Sequence, residues 1–259
     1  MKIVLKAISP IAHGEYADGI DYGNIMLFRR MPMIHNGTVY NVPVLSGNST
    51  RGNLRRILAR EMVDLFDLRN LMGDAFDKFY IALANGGNLD KNMDVAVDTD
   101  RLREIRNMIP LLSVFGSSLY KFMLSGMANI GFAVPRCAEL ETGEMSIVNM
   151  TADIGLTRHI DREQADPKDA KPMPYQVEAV IPGCEFDVEI SFAPQATEVE
   201  KSCISHGLNM LKTVGGKSSV GFGRVQLSGE DLNDSSYVSW LNSRTEKDIN
   251  DIVAFARDL

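Results

Sequence analysis

Cysteine is scarce in this chain, and the three present stand far apart. Cys137, Cys184 and Cys203 form no C-x-x-C pair and fit no zinc spacing, so the reading is reduced thiols in a cytoplasmic protein. Long apolar runs are missing as well. None approaches the roughly 18 residues of a membrane span, and Met1 to Pro10 alternates too quickly between apolar and polar for a signal peptide, so no membrane partner is expected. His13, His35, His159 and His206 have no carboxylate or second histidine at a metal-binding spacing, and no metal or cofactor is expected. The nucleophile elbow G-x-S-x-G fails at its last position, where Arg51 stands. Gly216-Lys217-Ser218 lacks the earlier glycine of a P-loop, because Leu211 occupies that place, and its order of helix, loop, strand is the reverse of a P-loop.

What remains is a 259-residue chain of ordinary globular composition, long enough to bury a substantial core in a single domain. The net charge of −7 argues against a protein that coats nucleic acid, but its distribution is uneven. Residues 1–60 hold eight Lys/Arg against three acids, an excess of five positive charges, so the remaining 199 residues carry −12. A basic footprint on an acidic body is compatible with anion binding.

Several segments have readable periods. Ile3 to Ile8 reads as a strand stopped by Ser9-Pro10, Ile25 to Phe28 as a second, and Thr38 to Val44 as a third with Pro43 marking an end or edge. From about Ser49 the period turns helical: Leu54, Ile57, Leu58, Met62 and Leu65 form one stripe, with Ser49 or Asn48 as N-cap. Arg51 and Arg55 flank that stripe near its N-terminal end, and Arg56 and Arg60 project from the far face. Residues 70–108 read as a helical insertion, Pro110 opens a new unit, and Asn129 to Val134 is a strand. Residues 155–176, dense in charge and proline, read as a long loop or arm. Phe186 to Phe192 alternates without a break, the mark of a half-buried antiparallel strand. A helical stripe at Val199, Cys203, Leu208, Leu211 and Val214 leads through a glycine-rich loop to a last strand, Val225 to Ser228, and residues 230–259 form an acidic tail with one amphipathic helix. Strands interleaved with two packing helices indicate an α+β fold.

The chemistry concentrates at helix entry and glycine loop. Ser46, Asn48, Ser49, Arg51 and Arg55 combine small polar residues, the free amides of a helix N-terminus and arginine forks, the components of a phosphate-binding corner. The stretch Gly215-Gly216-Lys217-Ser218-Ser219-Val220-Gly221-Phe222-Gly223 partly matches an RNA-recognition signature, at Gly221, Phe222, Gly223 and Val225. Its aromatic positions hold Arg224 and Leu227, so base stacking on the sheet is not supported, and close approach of backbone to a sugar-phosphate chain fits the glycines better. His13 is either a loop-packing residue or a phosphate contact. Asp18 and Asp21 read as turn formers, with general base or metal ligand as the alternative.

Together these pieces resemble the RAMP superfamily, specifically the "Cas seven" type of CRISPR effector backbone subunit, and the type IV and type I-like branch more than type III. The likeness rests on Ser9-Pro-Ile-Ala-His13-Gly14, Val44 to Arg55, Leu112 to Gly116, Gly131 to Pro135, Thr157-Arg158-His159-Ile-Asp161 and Gly215 to Arg224, in that order. The resemblance implies a modified RRM or ferredoxin-like palm with an antiparallel sheet, helical insertions and a thumb. It implies a non-catalytic subunit that binds guide RNA, stacks with copies of itself and with other CRISPR effector subunits, and presents the guide for pairing with a target nucleic acid. Ser46, Asn48, Ser49, Arg51 and Arg55 would hold phosphates, with His13 beside them. The 215–223 loop would contact ribose-phosphate, and the arm bearing Arg158 and His159 would wedge between nucleotides and meet the next subunit. The alternative is an RNA endonuclease of the type III or repeat-processing kind, using Asp21 or Asp18.

Overall fold

The computed structural model describes residues 1–14, 25–89, 99–120, 122–158, 173–230 and 232–259. In chain order its elements are β1 (Lys2–Ala7), β2 (Ile25–Met26), β3 (Arg30–His35), β4 (Thr38–Pro43), α1 (Gly47–Leu65), α2 (Leu68–Met72), α3 (Phe76–Asn85), β5 (Gly87–Leu89), α4 (Thr99–Met108) and α5 (Pro110–Phe115). There follow β6 (Ser117–Tyr120), β7 (Phe122–Leu124), β8 (Ala128–Pro135), β9 (Thr151–Arg158), β10 (Met173–Val180), β11 (Glu185–Phe192), α6 (Glu198–Met210), β12 (Val225–Gly229), α7 (Ser235–Asn242) and α8 (Glu246–Arg257).

The central sheet has the order β12-β1-β11-β8, and every neighbouring pair is antiparallel. Taken along the chain with α1 and α6, these strands run strand, helix, strand, strand, helix, strand, with the fourth beside the first, then the third, then the second. That is the split βαβ arrangement of ferredoxin-like folds, and the fold is α+β as the sequence reading expected. Alternation sets its two faces. Ile3, Leu5 and Ala7 of β1 and Phe186, Val188 and Ile190 of β11 are buried, while Lys2, Lys6, Asp187 and Glu189 face solvent.

Helices α1 and α6 cover the buried face. Leu54, Leu58 and Met62 of α1 and Cys203, Ile204 and Leu208 of α6 join one core with the strands. Gly207 permits the close crossing, since a Cβ there would stand 3.0 Å from Leu58 Cδ1 and 3.3 Å from Leu54 Cδ2. Thr197 and Glu200 close a capping box at the start of α6, satisfying two otherwise orphaned amides. Leu65, placed by its spacing in the buried stripe of α1, is exposed.

Other expectations need correction. The N-cap of α1 is Ser46, whose hydroxyl accepts the Ser49 amide N–H at 3.3 Å, rather than Ser49 or Asn48. Leu45 sets that early start by pairing with Ala133 at the sheet edge through N–H to O distances of 3.2 and 2.9 Å. The arm read at 155–176 is rooted in strands: β9 and β10 form an antiparallel ladder from Thr151↔Val180 to Arg158↔Met173, and 159–172 lie outside the described residues. The acidic stretch after 230 is no loose tail. Its helices α7 and α8 bury Tyr237, Trp240, Leu241, Ile252, Val253 and Phe255. Strand β3 was not anticipated because Pro32 interrupts it, yet it pairs with β4 in a separate two-stranded sheet where proline is tolerated. Among the described residues no helix is long and apolar enough to cross a membrane. All three cysteines are free and buried.

Candidate nucleic-acid interface

The short segment after β1 gathers pieces that lie far apart in the chain. Ser9-Pro10 ends the strand, and the backbone then pairs irregularly on both sides. Gly223 N–H donates to Pro10 O at 2.7 Å and Gly216 N–H to Ala12 O at 2.7 Å, while Ile11 exchanges two 2.9 Å bonds with Val180 at the end of β10. One residue on, the Nε2 of His13 accepts the backbone N–H of Ser46 at 3.1 Å, and its ring stands edge-on to Phe28 with centroids 6.1 Å apart. The segment 9–14 therefore joins the glycine loop, the root of the arm and the N-terminus of α1. His13, Ser46, Gly215 and Gly216, singled out separately from sequence, belong to one continuous backbone assembly.

Within the glycine loop the structure separates packing residues from outward ones. Gly215 has φ +74° and an added Cβ would stand 2.4 Å from Ala12 O; Gly223 has φ +83° and its Cβ would stand 2.2 Å from Val214 O. Those glycines are needed for close approach to the protein's own backbone, a correction to the expectation that they approach a sugar-phosphate chain. Phe222 is corrected likewise, being buried with Ala12, Val177 and Ala179 in a small second core. Gly216, Ser218, Ser219 and Gly221 are exposed, and Lys217 is half-buried. Lys217 takes the left-handed backbone, φ +60°, and its Nζ lies 4.5 Å from the ring centroid of Tyr175 on β10.

A cleft of about 470 Å³ opens along the first turns of α1, against α3 and the β6–β7 turn. Asn48, Arg51, Arg55, Arg56, Asn85, Ser118 and Met123 help to line it, and among the described residues its wall contains three arginines and no carboxylate. Arg55, expected to hold a phosphate, has another task. It is buried, and its guanidinium donates to Leu83 O at 2.7 Å, Ala82 O at 2.7 Å, Gly116 O at 2.8 Å and Ser117 Oγ at 2.6 Å. Four of its five N–H groups are thus committed to the protein. Burial, and then the neighbouring charge of Arg51, hold its pKa down to about 10. Among the described residues Arg51 has a single acceptor, Phe115 O, and its Nε is buried without a partner. Arg56 is exposed, as the surface reading has it, yet it turns back over bare Gly52, whose Cβ position lies 3.7 Å from its Nη1, and also lines the cleft. Side chains on a helix lean toward its N-terminus, and the glycine four residues earlier is the signal that could have located it.

Some sequence-selected residues do not enter this geometry. Arg158 ends β9 by pairing with Met173, and His159, Asp18 and Asp21 lie outside the described residues. The outer face of the palm sheet carries Lys2, Val4 and Lys6 on β1, Asp187 and Glu189 on β11, and Gln226 and Ser228 on β12. Those three strands carry no aromatic on that face, but Phe132 of β8, the fourth strand, is exposed beside Lys2, Asp187 and Glu189, so the sheet as a whole does offer a ring there.

No family model matches the chain, and no curated protein matches it. Among solved structures it is similar to a chain titled "Type IV-B CRISPR Complex", with a TM-score of 0.62 and 18% identity over 89% of this chain and 90% of that one. At that identity the likeness is one of fold.

Proposed function

We propose that this chain is a backbone subunit of a CRISPR effector complex: a scaffold, not an enzyme, that grips the sugar-phosphate chain of a guide RNA and stacks with copies of itself in the cytoplasm. The observation that carries the reading is the convergence at residues 9–14. One backbone segment of a ferredoxin-like palm ties the N-terminus of α1, the glycine loop and the root of the arm into a continuous edge. Arg51 and Arg56 in the arginine-lined cleft, the polar Asn48 and Ser49, and Lys217, Ser218 and Ser219 of the loop would then meet phosphates and riboses. The similarity in fold to a chain of a CRISPR complex supports the same reading. Contacts of this kind recognise charge and shape, and leave sequence to base pairing between guide and target. Head-to-tail stacking would be a heterologous contact, which builds an open filament and brings other effector subunits to its ends.

The test is direct. Protein purified without nuclease should carry RNA of discrete length, visible as a raised ultraviolet absorbance ratio and as a band on a denaturing gel. Nuclease-treated protein should bind single-stranded RNA of any sequence, with affinity falling steeply as salt rises. Material that carries no RNA and ignores oligoribonucleotides in dilute buffer refutes the proposal.

A further inference from the structure

Tyr175 ends an apolar row. It shares one face of β10 with Val177 and Ala179, which are buried against Ala12 and Phe222, and it packs half-buried at the margin of that cluster. Its β9 partner in register is Leu156. Lys217 rests on its ring with Nζ 4.5 Å from the centroid. Among the described residues no carboxylate lies within ion-pair distance of that ammonium. A lysine also occupies a left-handed backbone position, φ +60°, that glycine would take with less strain. Strained residues held in place by their surroundings concentrate at binding sites.

We infer that Lys217 and Tyr175 together form one nucleotide subsite, with Lys217 as a cover that a bound ribonucleotide displaces. The inference rests on the RNA-binding reading and adds a base contact to it. In the free protein the ammonium and the π face satisfy each other. A single-stranded nucleotide offers each a stronger partner: phosphate for the ammonium, and the flat face of a base for the ring. Every base has such a face, so the exchange costs no sequence generality. Its place is the root of the arm, one strand from the glycine loop. There a stacked base would fix the register of the RNA where it leaves the palm.

Two fluorescent probes of equal length test it: a 12-nucleotide oligouridylate and a ribose-phosphate 12-mer lacking bases. Tyr175→Leu keeps apolar bulk and removes the flat ring, and its melting temperature should match that of the parent. It should bind oligouridylate about tenfold more weakly and bind the baseless probe as the parent does, whereas Tyr175→Phe should behave as the parent on both. Lys217→Met should weaken both probes and flatten the salt dependence by about 0.7 in log–log slope. Equal binding of oligouridylate by Tyr175→Leu and the parent, or an equal loss on both probes, overturns the subsite. So does a Lys217→Met variant unchanged on both. If the parent binds neither probe, the RNA-binding reading itself has failed, a result distinct from either of these.

Discussion

Arg51 and Arg55 stand one helical turn apart in the wall of one cleft and do opposite work. Arg55 braces α1 against the ends of α3 and α5 by filling the carbonyls of Ala82, Leu83 and Gly116, whereas Arg51 commits itself to one carbonyl and keeps a buried Nε without a partner. Arg55→Ala would strand three acceptors and should cost on the order of 3 kcal/mol in chemical denaturation. Arg55→Lys recovers little, because an ammonium cannot reproduce the planar fork. Arg51→Ala should leave the denaturation midpoint close to the parent's, weaken RNA binding for all sequences alike, and reduce the log–log salt slope by about 0.7. A fold loss from Arg51→Ala together with an RNA-binding loss from a stable Arg55→Ala would reverse the assignment.

Gly215 and Gly223 hold the loop to segment 9–14 and to Val214, and Gly221 does neither. Alanine at 223 would bring its Cβ to 2.2 Å from Val214 O at φ +83°, and alanine at 215 to 2.4 Å from Ala12 O. Each variant combines a clash with a left-handed alanine and should cost about 2 kcal/mol or more, a fall of roughly 4–8 °C in melting temperature for a chain of this size. Gly221→Ala meets nothing within 4 Å, so only the φ +90° penalty of about 1 kcal/mol applies. Scanning calorimetry of the three variants orders them, and a Gly221 variant as unstable as the other two would show that the loop is held by something other than these approaches.

Stability should decline on both sides of neutral pH, for two separable reasons. His206 on α6 has Nδ1 2.9 Å from Asp234 Oδ2 and Nε2 2.8 Å from Glu61 Oε1, and only the imidazolium donates from both nitrogens. Burial disfavours that charge, but the bonds to Glu61 and Asp234 outweigh it and raise the pKa above the ordinary 6.5. Its contribution is therefore complete below 6.5 and is lost as pH climbs through the raised folded-state value. Glu200 has the opposite sign. Burial pushes its pKa up, yet Arg106, Ser113 and the Thr197 amide hold it below the ordinary 4.5, so its contribution is present above 4.5 and is lost as pH falls through the depressed value. His206→Gln should flatten the alkaline limb of melting temperature against pH, and Glu200→Gln the acid limb. Unaltered limbs would assign the pH dependence to other groups.

What could be read from sequence follows from range. The alternation of β11 and the stripes of α1 and α6 are periodic within a few residues, so these elements and the α+β class were legible. The role of Arg55 was not, because its acceptors lie 27, 28 and 61 residues away and no local pattern announces them. Phe222 sat inside a motif-like run, and only the return of Ala12, Val177 and Ala179 to the same place shows it as core. Helix α7 is eight residues long, too short for a period to stand out. The glycines of the 215–223 loop suggest close approach to a sugar-phosphate chain, but at Gly215 and Gly223 the backbone approached is the protein's own, which no local pattern announces.

The acidic body should act as a brake on indiscriminate RNA binding, and the structure narrows how that is tested. Neutralising the whole stretch after residue 230 would break Asp234 from His206 and Asp248 from its capping box with Thr245, confounding charge with folding. Glu230, Asp251 and Asp258 are exposed. Asp258 follows the C-terminal end of α8, where the helix dipole disfavours an acid. Changing these three to Gln, Asn and Asn should preserve the melting temperature and raise affinity for non-cognate single-stranded RNA by about two- to fivefold in low salt. The gain should vanish near 0.3 M salt, where charges more than about 6 Å apart are screened. A gain that persists at high salt would point to new contacts in place of relieved repulsion, and no gain at either ionic strength would show that these acids do not restrain RNA binding.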